Sequence, residues 1–473
     1  MNRNEIYFMS ACDLVEKIKI QEFSSLEITE AIIERIEEIN PIINAYCTTT
    51  FELALEMAKK SDKALKKGKP VEKLHGVPFS IKDLIETKGI RTTYGCKIFE
   101  NIIPYKDELV VKRLKKSGAI ILGKTNTPCF GSKGVTDNVI FGTTRNPWNL
   151  ERTPGGSSGG AAAAIASGLG PLALGSDGLG SIRAPCCFCG VYGLKPSFGR
   201  IPHNGKRTGG IIDTFASDGP IVRCVKDAAL MLDVMAGEDD SDRYSLPKPN
   251  VSFLEKLEDY PKGIKIGYSL DLGYAKLIDP EVKKIFLDAV QKFEEFNWSV
   301  DKSRIRIKHA ESVIKILSNS SIAYFFKTFP YIPFISLNTK LNEKIKTGLN
   351  CSIIDLKMAE LKREKIYNDV CRYLKKHDIL LTPTMACLPF ELERDAPDKI
   401  DGKKISGLEW TPFTYPFNVT GHPTASIPCG WSKEGLPIGM QIIGQRLDDM
   451  SVLQVSKAFE KIAPWQDKKP KFN

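Results

Sequence analysis

The chain has 473 residues and a formal net charge of +10, with 42% apolar and 26% charged residues. That balance suits a soluble globular chain with a sizeable core and excludes a disordered or fibrous one. No apolar run of signal-peptide length follows Met1, and the most apolar stretch, 161–175, is broken by Gly168, Gly170 and Pro171, which excludes a spanning helix there.

The expected location is therefore cytoplasmic, with no membrane partner. The densest basic patches, 59–69 and 112–116, interleave lysines with apolar residues at helical spacing. They read as solvated helix faces, so no nucleic-acid partner is expected. Twelve cysteines in such a chain read mostly as small buried hydrophobes kept reduced, not as a disulfide framework. Cys186-Cys-Phe-Cys189 holds one Cys-x-x-Cys without a second pair at zinc-ribbon spacing, and the five histidines form no His-x-x-x-His or His-Glu-x-x-His. No metal and no cofactor are expected.

In chain order, the first seventy residues read as a helical layer. Ser24-x-x-Glu27 is a capping box, and Ile28, Ile32, Ile36 and Ile39 recur on one face until Asn40-Pro41 stops the helix. Over 71–237 short apolar strands alternate with helices and glycine turns. Val77 to Ile81, Ala119 to Leu122 and Leu172 to Leu174 are the strands, and the alternation predicts an α/β fold with a parallel or mixed sheet covered by helices. The proline-bearing stretch 239–262 reads as a surface excursion. A strand over 264–268 and an amphipathic helix over 280–296 follow. Residues 305–375 are less regular and carry Tyr324, Phe325, Phe326, Phe329, Tyr331 and Phe334 close together, a cluster that reads as core or as an apolar pocket lining. Strand signals return at 379–381, 425–427 and 439–443, and a last helix starts at Asp449. No repeat or linker divides the chain, so a single domain over 1–473 is expected.

Two motifs fail in context. Gly118-Ala-Ile-Ile-Leu-Gly-Lys124-Thr125 spells a phosphate loop, but its four intervening residues form an apolar strand and Pro128 blocks the helix that should follow. Gly178-Leu179-Gly180 opens like a dinucleotide fingerprint, but Arg183 takes the place of the third glycine.

The stretch Gly155-Gly-Ser157-Ser158-Gly-Gly160, followed by Gly175-Ser-Asp177-Gly178-Leu179-Gly180-Ser181, carries the chemistry. Serines flanked by glycines sit on tight backbone whose N–H groups can face a substrate, which is how a chain exposes a nucleophile beside an oxyanion hole. Flexible linkers share this composition, but here an alanine helix over 161–166 and a buried strand follow directly. A serine needs a base. Lys82 ends the strand from Val77, and burial disfavours the charged form of a lysine, so its amine can accept a proton.

These segments, with Gly76-Val-Pro-Phe-Ser-Ile-Lys82-Asp83, Gly123-Lys-Thr-Asn-Thr-Pro128, Asn146-Pro-Trp148, Cys189-Gly-Val-Tyr-Gly-Leu-Lys-Pro196, Pro412-Phe-Thr-Tyr-Pro-Phe-Asn418 and Gly435-Leu-Pro-Ile-Gly-Met-Gln441, resemble the amidase signature family over nearly the whole chain. The resemblance is weakest over 305–375, a variable region expected on the substrate side. It implies the family's fold, a large mixed central sheet covered by helices on both faces. It also implies a Ser-Ser-Lys triad of Lys82, Ser157 (after a cis peptide bond) and the nucleophile Ser181. The oxyanion hole falls on the amides of Gly178, Leu179, Gly180 and Ser181, a pocket-lining backbone position on Gly131, and bracing roles on Ser158, Asp177 and Arg183.

The activity so implied is hydrolysis of a small carboxamide to carboxylate and amine or ammonia through an acyl-serine. The partner is a small-molecule amide, and a homodimer is compatible. A second reading is the glutamine-hydrolysing catalytic component of a tRNA-dependent amidotransferase, the one reading under which tRNA would be a partner. That component holds the glutamine amino group with an acidic residue where Thr411 stands here. A third reading is a catalytically impaired binding member. The chain departs from the family pattern at Leu179, where glycine is usual, at Cys186-Cys187, and at Cys129, where an acidic residue is common.

Overall fold

The computed structural model describes residues 3–203, 214–328 and 339–472. The strands, in chain order, begin with β1 (Tyr46–Thr49), β2 (Pro78–Lys82), β3 (Ile120–Thr125) and a short ribbon of β4 (Asp137–Asn138) with β5 (Gly142–Thr143). Next come β6 (Leu172–Asp177), β7 (Tyr192–Lys195), β8 (Ser217–Val222), β9 (Lys265–Tyr268) and β10 (Ser299–Lys302). The rest are β11 (Ile379–Pro383), a second ribbon of β12 (Lys399–Ile400) and β13 (Lys403–Lys404), β14 (Thr424–Trp431) and β15 (Pro437–Gly444). Among the described residues eleven of these form one sheet in the order β1-β3-β2-β6-β8-β7-β14-β15-β11-β9-β10. It is mixed: β3, β2 and β6 run parallel, as do β11, β9 and β10, and the other pairs are antiparallel.

The parallel centre is what the residues dictate. β2 and β3 are buried at every position, as continuous apolar strands between covering layers are. The helix Leu109–Lys116 connects β2 to β3, and the helix Gly159–Ala166 leads from β3 toward β6. Because β2 and β6 are parallel, with Phe79, Ser80 and Ile81 opposite Leu172, Ala173 and Leu174, their carboxyl ends reach the same edge of the sheet. Open α/β sheets bind ligands outside such strand ends. Lys82 and Asp177 therefore close on the same region.

Three local expectations are corrected. The N-terminal layer is not wholly helical, since β1 pairs antiparallel with β3. The capping box at Ser24 and Glu27 forms, but its helix, Ser25–Ile43, passes through Pro41 and ends at Asn44 in the left-handed conformation. Proline there removes one N–H in the last turn, and the Asn40 side chain ties the chain's exit by accepting from the amides of Ala45 and Tyr46 at 2.8 and 2.7 Å. Third, 305–375 is mostly regular: helices Ala310–Thr328, Thr339–Leu349 and Ile353–Leu374 fill its described part. The last helix hides its period because Ile353, Ile354 and Leu361 are 72%, 67% and 64% exposed, which blurs the apolar stripe of Ala359, Ile366, Val370 and Leu374. No described helix is long and apolar enough to cross a membrane.

Candidate active site

The serine-bearing turn is shaped by close packing. Gly155 takes φ 77°, and a Cβ on Gly156 would lie 2.6–2.7 Å from the backbone of Val135. The Thr136 hydroxyl accepts from the Gly159 amide and donates to the Gly155 carbonyl, clamping both ends of the turn. The peptide bond between Gly156 and Ser157 is cis. The helix Gly159–Ala166 that follows is buried at every residue, and only small side chains allow it so near β1 and β3: a Cβ on Gly160 would meet the Asn126 amide at 2.5 Å and the Ala45 carbonyl at 2.6 Å.

Lys82, at the carboxyl end of β2, is fully buried. Its Nζ lies 2.7 Å from Ser157 Oγ, 3.1 Å from Ser176 Oγ and 3.3 Å from the Ser176 carbonyl, so a neutral amine can donate both its protons to Ser176 and turn its lone pair to Ser157. Ser158 joins the two turns, its amide donating to the Ser181 carbonyl at 3.1 Å and its hydroxyl to the Ser176 carbonyl at 3.3 Å. Ser181 is half-buried on the cavity wall, and its hydroxyl makes no hydrogen bond among the described residues.

The second turn is organised by one carboxylate. Asp177 Oδ1 accepts from the Gly180 amide at 2.7 Å, and Oδ2 accepts from the amides of Ile182 and Arg183 at 3.1 and 3.3 Å. The Arg183 guanidinium, fully buried, meets both oxygens at 3.0 Å and reaches on to the Thr414 carbonyl, Gln441 Oε1 and Asn418 Oδ1. Burial alone would raise the Asp177 carboxyl, but the Arg183 charge and hydrogen bonds, with Asn418, hold it well below the carboxylate range. Gly180 has φ 120°, and a Cβ there would lie 2.6 Å from the Thr414 side chain, whose hydroxyl donates to the Leu179 carbonyl at 2.7 Å. Leu179 itself keeps a negative φ, and its side chain packs against the core cluster of Trp410, Phe413 and Phe215.

The donors of this turn are thus divided. The Gly180 amide is taken by Asp177, whereas the amides of Gly178, Leu179 and Ser181 donate to nothing among the described residues. Gly131, at φ 64°, brings its backbone against the serine turn, where a Cβ would be 3.0 Å from Ser157 Oγ.

These groups border a cavity of about 280 Å3, whose wall includes Ser157, Ser181, Gly131 and Thr411. Phe325 and Phe326 of the aromatic cluster line it; Tyr324 is exposed, and Phe329, Tyr331 and Phe334 lie outside the described residues. Of the histidines, the fold brings His203 to the cavity wall. Its Nε2 is 3.6 Å from Asp218 Oδ2, and Glu108, His203 and Asp218 offer possible ligand atoms within 4.8 Å of one another.

The cysteines divide. Cys186 and Cys187 are buried in the helix Arg183–Cys189; burial raises both thiols, that of Cys187 to about 12. Their size matters more than their chemistry, because Cys186 Sγ lies against Gly193 of β7 and Cys187 Sγ against Gly439 of β15. Cys96 and Cys129 are instead joined in a disulfide with Cα atoms 4.7 Å apart, an exception to the reduced state expected of the cysteines. Residues 33 apart in sequence gave no signal of that pairing.

Sequence reasoning assigned no role to Ser176, Thr414, Asn418 or Gln441. Asn418 and Gln441 sit in recognised motifs, but their link to Arg183 spans more than two hundred residues and has no local signature.

The amidase family model matches residues 27–453. An acylamidase of Rhodococcus erythropolis is 36% identical over 476 residues, covering 99% of this chain and 98% of that protein. The A component of the glutamyl-tRNA(Gln) amidotransferase of a Sulfurihydrogenibium species is also 36% identical, over 497 residues, covering 98% of this chain and 99% of that protein. Among solved structures, a bacterial aryl acylamidase of the amidase signature family superposes with a TM-score of 0.90 at 32% identity, covering 97% of each chain.

Proposed function

Because this chain belongs to the amidase family, we propose that it hydrolyses a small carboxamide unaided, through an acyl-serine formed on Ser181. The observation that carries the reading is the buried 2.7 Å contact between Lys82 Nζ and Ser157 Oγ, on the wall of the cavity that Ser181 also faces. Lys82 acts as a neutral amine, favoured by complete burial. It takes a proton from Ser157, which takes one from Ser181 as that oxygen bonds to the amide carbonyl carbon. The carbonyl oxygen becomes an oxyanion facing the amides of Gly178, Leu179 and Ser181, each such donor being worth about 3 kcal/mol. The proton returns along the relay to the departing amine as the C–N bond breaks. Water then repeats the attack on the ester, releasing the carboxylate and restoring Ser181. Gly180 serves by its conformation, since its amide holds Asp177.

The glutamine-hydrolysing reading needs an acidic group for the glutamine ammonium. At that place Thr411 presents a hydroxyl 3.0 Å from that of Thr414. Among the described residues the carboxylates bordering the cavity are Asp177, held by Arg183, and Asp242, which accepts from the amides of His203 and Tyr244 at 2.8 and 2.9 Å. Thr411 thus offers a neutral hydroxyl where the ammonium would need a carboxylate, which favours the free-standing hydrolase. A panel of aliphatic amides, aryl amides and glutamine decides between them: hydrolysis of simple amides with glutamine inert is expected, and activity on glutamine alone overturns the reading.

A further inference from the structure

Part of the cavity wall is a cluster of aromatic rings centred on Phe130. Its ring stacks on Tyr94 at 5.8 Å between centroids and meets Phe325 and Phe326 edge-on at 5.1 and 5.2 Å. All four border the cavity, with Leu84 and Ile322 beside them. Phe130 and Tyr94 are half-buried, so ring surface remains toward the cavity. Beside these rings the Tyr94 hydroxyl donates to Glu86 at 2.7 Å, and Lys344 Nζ donates to the Ser132 carbonyl at 2.5 Å.

Phe130 is held there by an unusual backbone. It has φ 52° and ψ 22°, a left-handed conformation that costs a residue with a side chain about 1–2 kcal/mol. Three restraints maintain it. The Phe130 amide donates to the Tyr94 carbonyl at 2.8 Å, the preceding Cys129 is bonded to Cys96, and Gly131 continues the left-handed turn. The loops are also tightly apposed, since a Cβ on Gly95 would lie 2.5 Å from the Thr127 carbonyl. The same turn that sets Gly131 against Ser157 therefore fixes the Phe130 ring at a defined place relative to the serines. A rigid ring that loses no freedom on binding favours flat apolar ligands by stacking.

We propose that Phe130 is a specificity-determining residue, its ring clamping an aromatic group of the amide substrate with Tyr94, Phe325 and Phe326. This deepens the acyl-serine reading and rests on it. The test measures kcat and KM on two matched pairs, an anilide against an N-alkyl acetamide and benzamide against butyramide, so that a ring on either side of the scissile bond is sampled. In the native enzyme the ring-bearing member of one pair is favoured in kcat/KM by about tenfold or more. Phe130→Ala brings that ratio toward unity, mainly through KM. Tyr94→Phe, which keeps the ring, retains the preference and Tyr94→Leu lowers it, which supplies the readout should the Phe130 variant not fold. Ratios near unity in the native enzyme, or an equal loss of kcat on both members in Phe130→Ala, overturn the proposal while leaving Ser181-dependent hydrolysis standing. Hydrolysis that persists in Ser181→Ala overturns the acyl-serine reading itself, and this inference with it.

Discussion

Ser181 offers a hydroxyl to the cavity with no hydrogen bond among the described residues, and Lys82 reaches Ser157 instead. A fluorophosphonate should accordingly add to the peptide containing Ser181, and Ser181→Ala should abolish both label and hydrolysis; label surviving that substitution means the nucleophile lies elsewhere. For the base, Lys82→Ala should lower kcat/KM by roughly 10²–10⁴-fold. Near-normal rates in that variant would remove Lys82 from the relay. Leu179 is a third case at this scale. With a negative φ it is unstrained, so its effect is steric, at the cavity wall. Leu179→Gly should admit bulkier amides at a stability cost of roughly 2 kcal/mol or more, from lost side-chain packing and added chain entropy. A large gain in stability with unchanged selectivity would show that the side chain was strained after all.

At the scale of elements, the carboxyl end of β6 is tied to the segment before β14 and to β15 through one buried knot. Asn418 Nδ2 donates to Asp177 Oδ1 at 2.9 Å and its Oδ1 accepts from Arg183, so truncating it leaves two charged groups short of partners. Asn418→Ala should cost about 1–3 kcal/mol in stability and lower kcat by loosening the turn that carries Ser181. Denaturant melts and steady-state kinetics read the two effects separately. A stable variant with full activity would show that the knot is dispensable. The alanine helix answers to a different constraint. Gly160 lies at backbone contact with the segments that leave β3 and enter β1, so the helix keeps its place beneath the serine turn only because position 160 has no side chain.

Across the whole molecule, stability carries the mark of a second buried lysine. Lys195 ends β7 with its Nζ donating to the Pro196 carbonyl, and burial, then the Arg183 charge, push its pKa from 10.5 down to about 7. The sign follows from proton binding. Between those values the unfolded chain holds a proton that the folded one lacks, so stability rises with pH across this window. Below about pH 7 both states hold the proton, and the penalty of charging the buried amine is fully present. One proton corresponds to about 1.4 kcal/mol per pH unit. Buried thiols such as Cys186 and Cys187 contribute a slope of opposite sign toward pH 10, so the difference between variants isolates the lysine. In urea melts from pH 7 to 10 the slope should be more positive in the native protein than in Lys195→Met by about this amount, and identical slopes would mean that Lys195 stays charged in the fold.

What the sequence determined by itself was local. The capping box at Ser24, the glycines at 155 and 180, the apolar run of β2 ending in Lys82 and the small-residue helix after Ser158 are legible because they depend on backbone sterics and neighbouring side chains. The family motifs added which residues to expect together. Tertiary structure alone decided the rest: that Asp177 takes the Gly180 amide, that Arg183 is held by Asn418 and Gln441, that Cys96 meets Cys129, and that Phe130 stands at the centre of the aromatic wall. Each of these is a partnership between segments brought together by the sheet order, and a hydrogen bond or ring contact across such a distance leaves no periodicity in the chain. Even the strand β1 was hidden in this way, since four residues with no apolar alternation become a strand only because β3 offers them an edge.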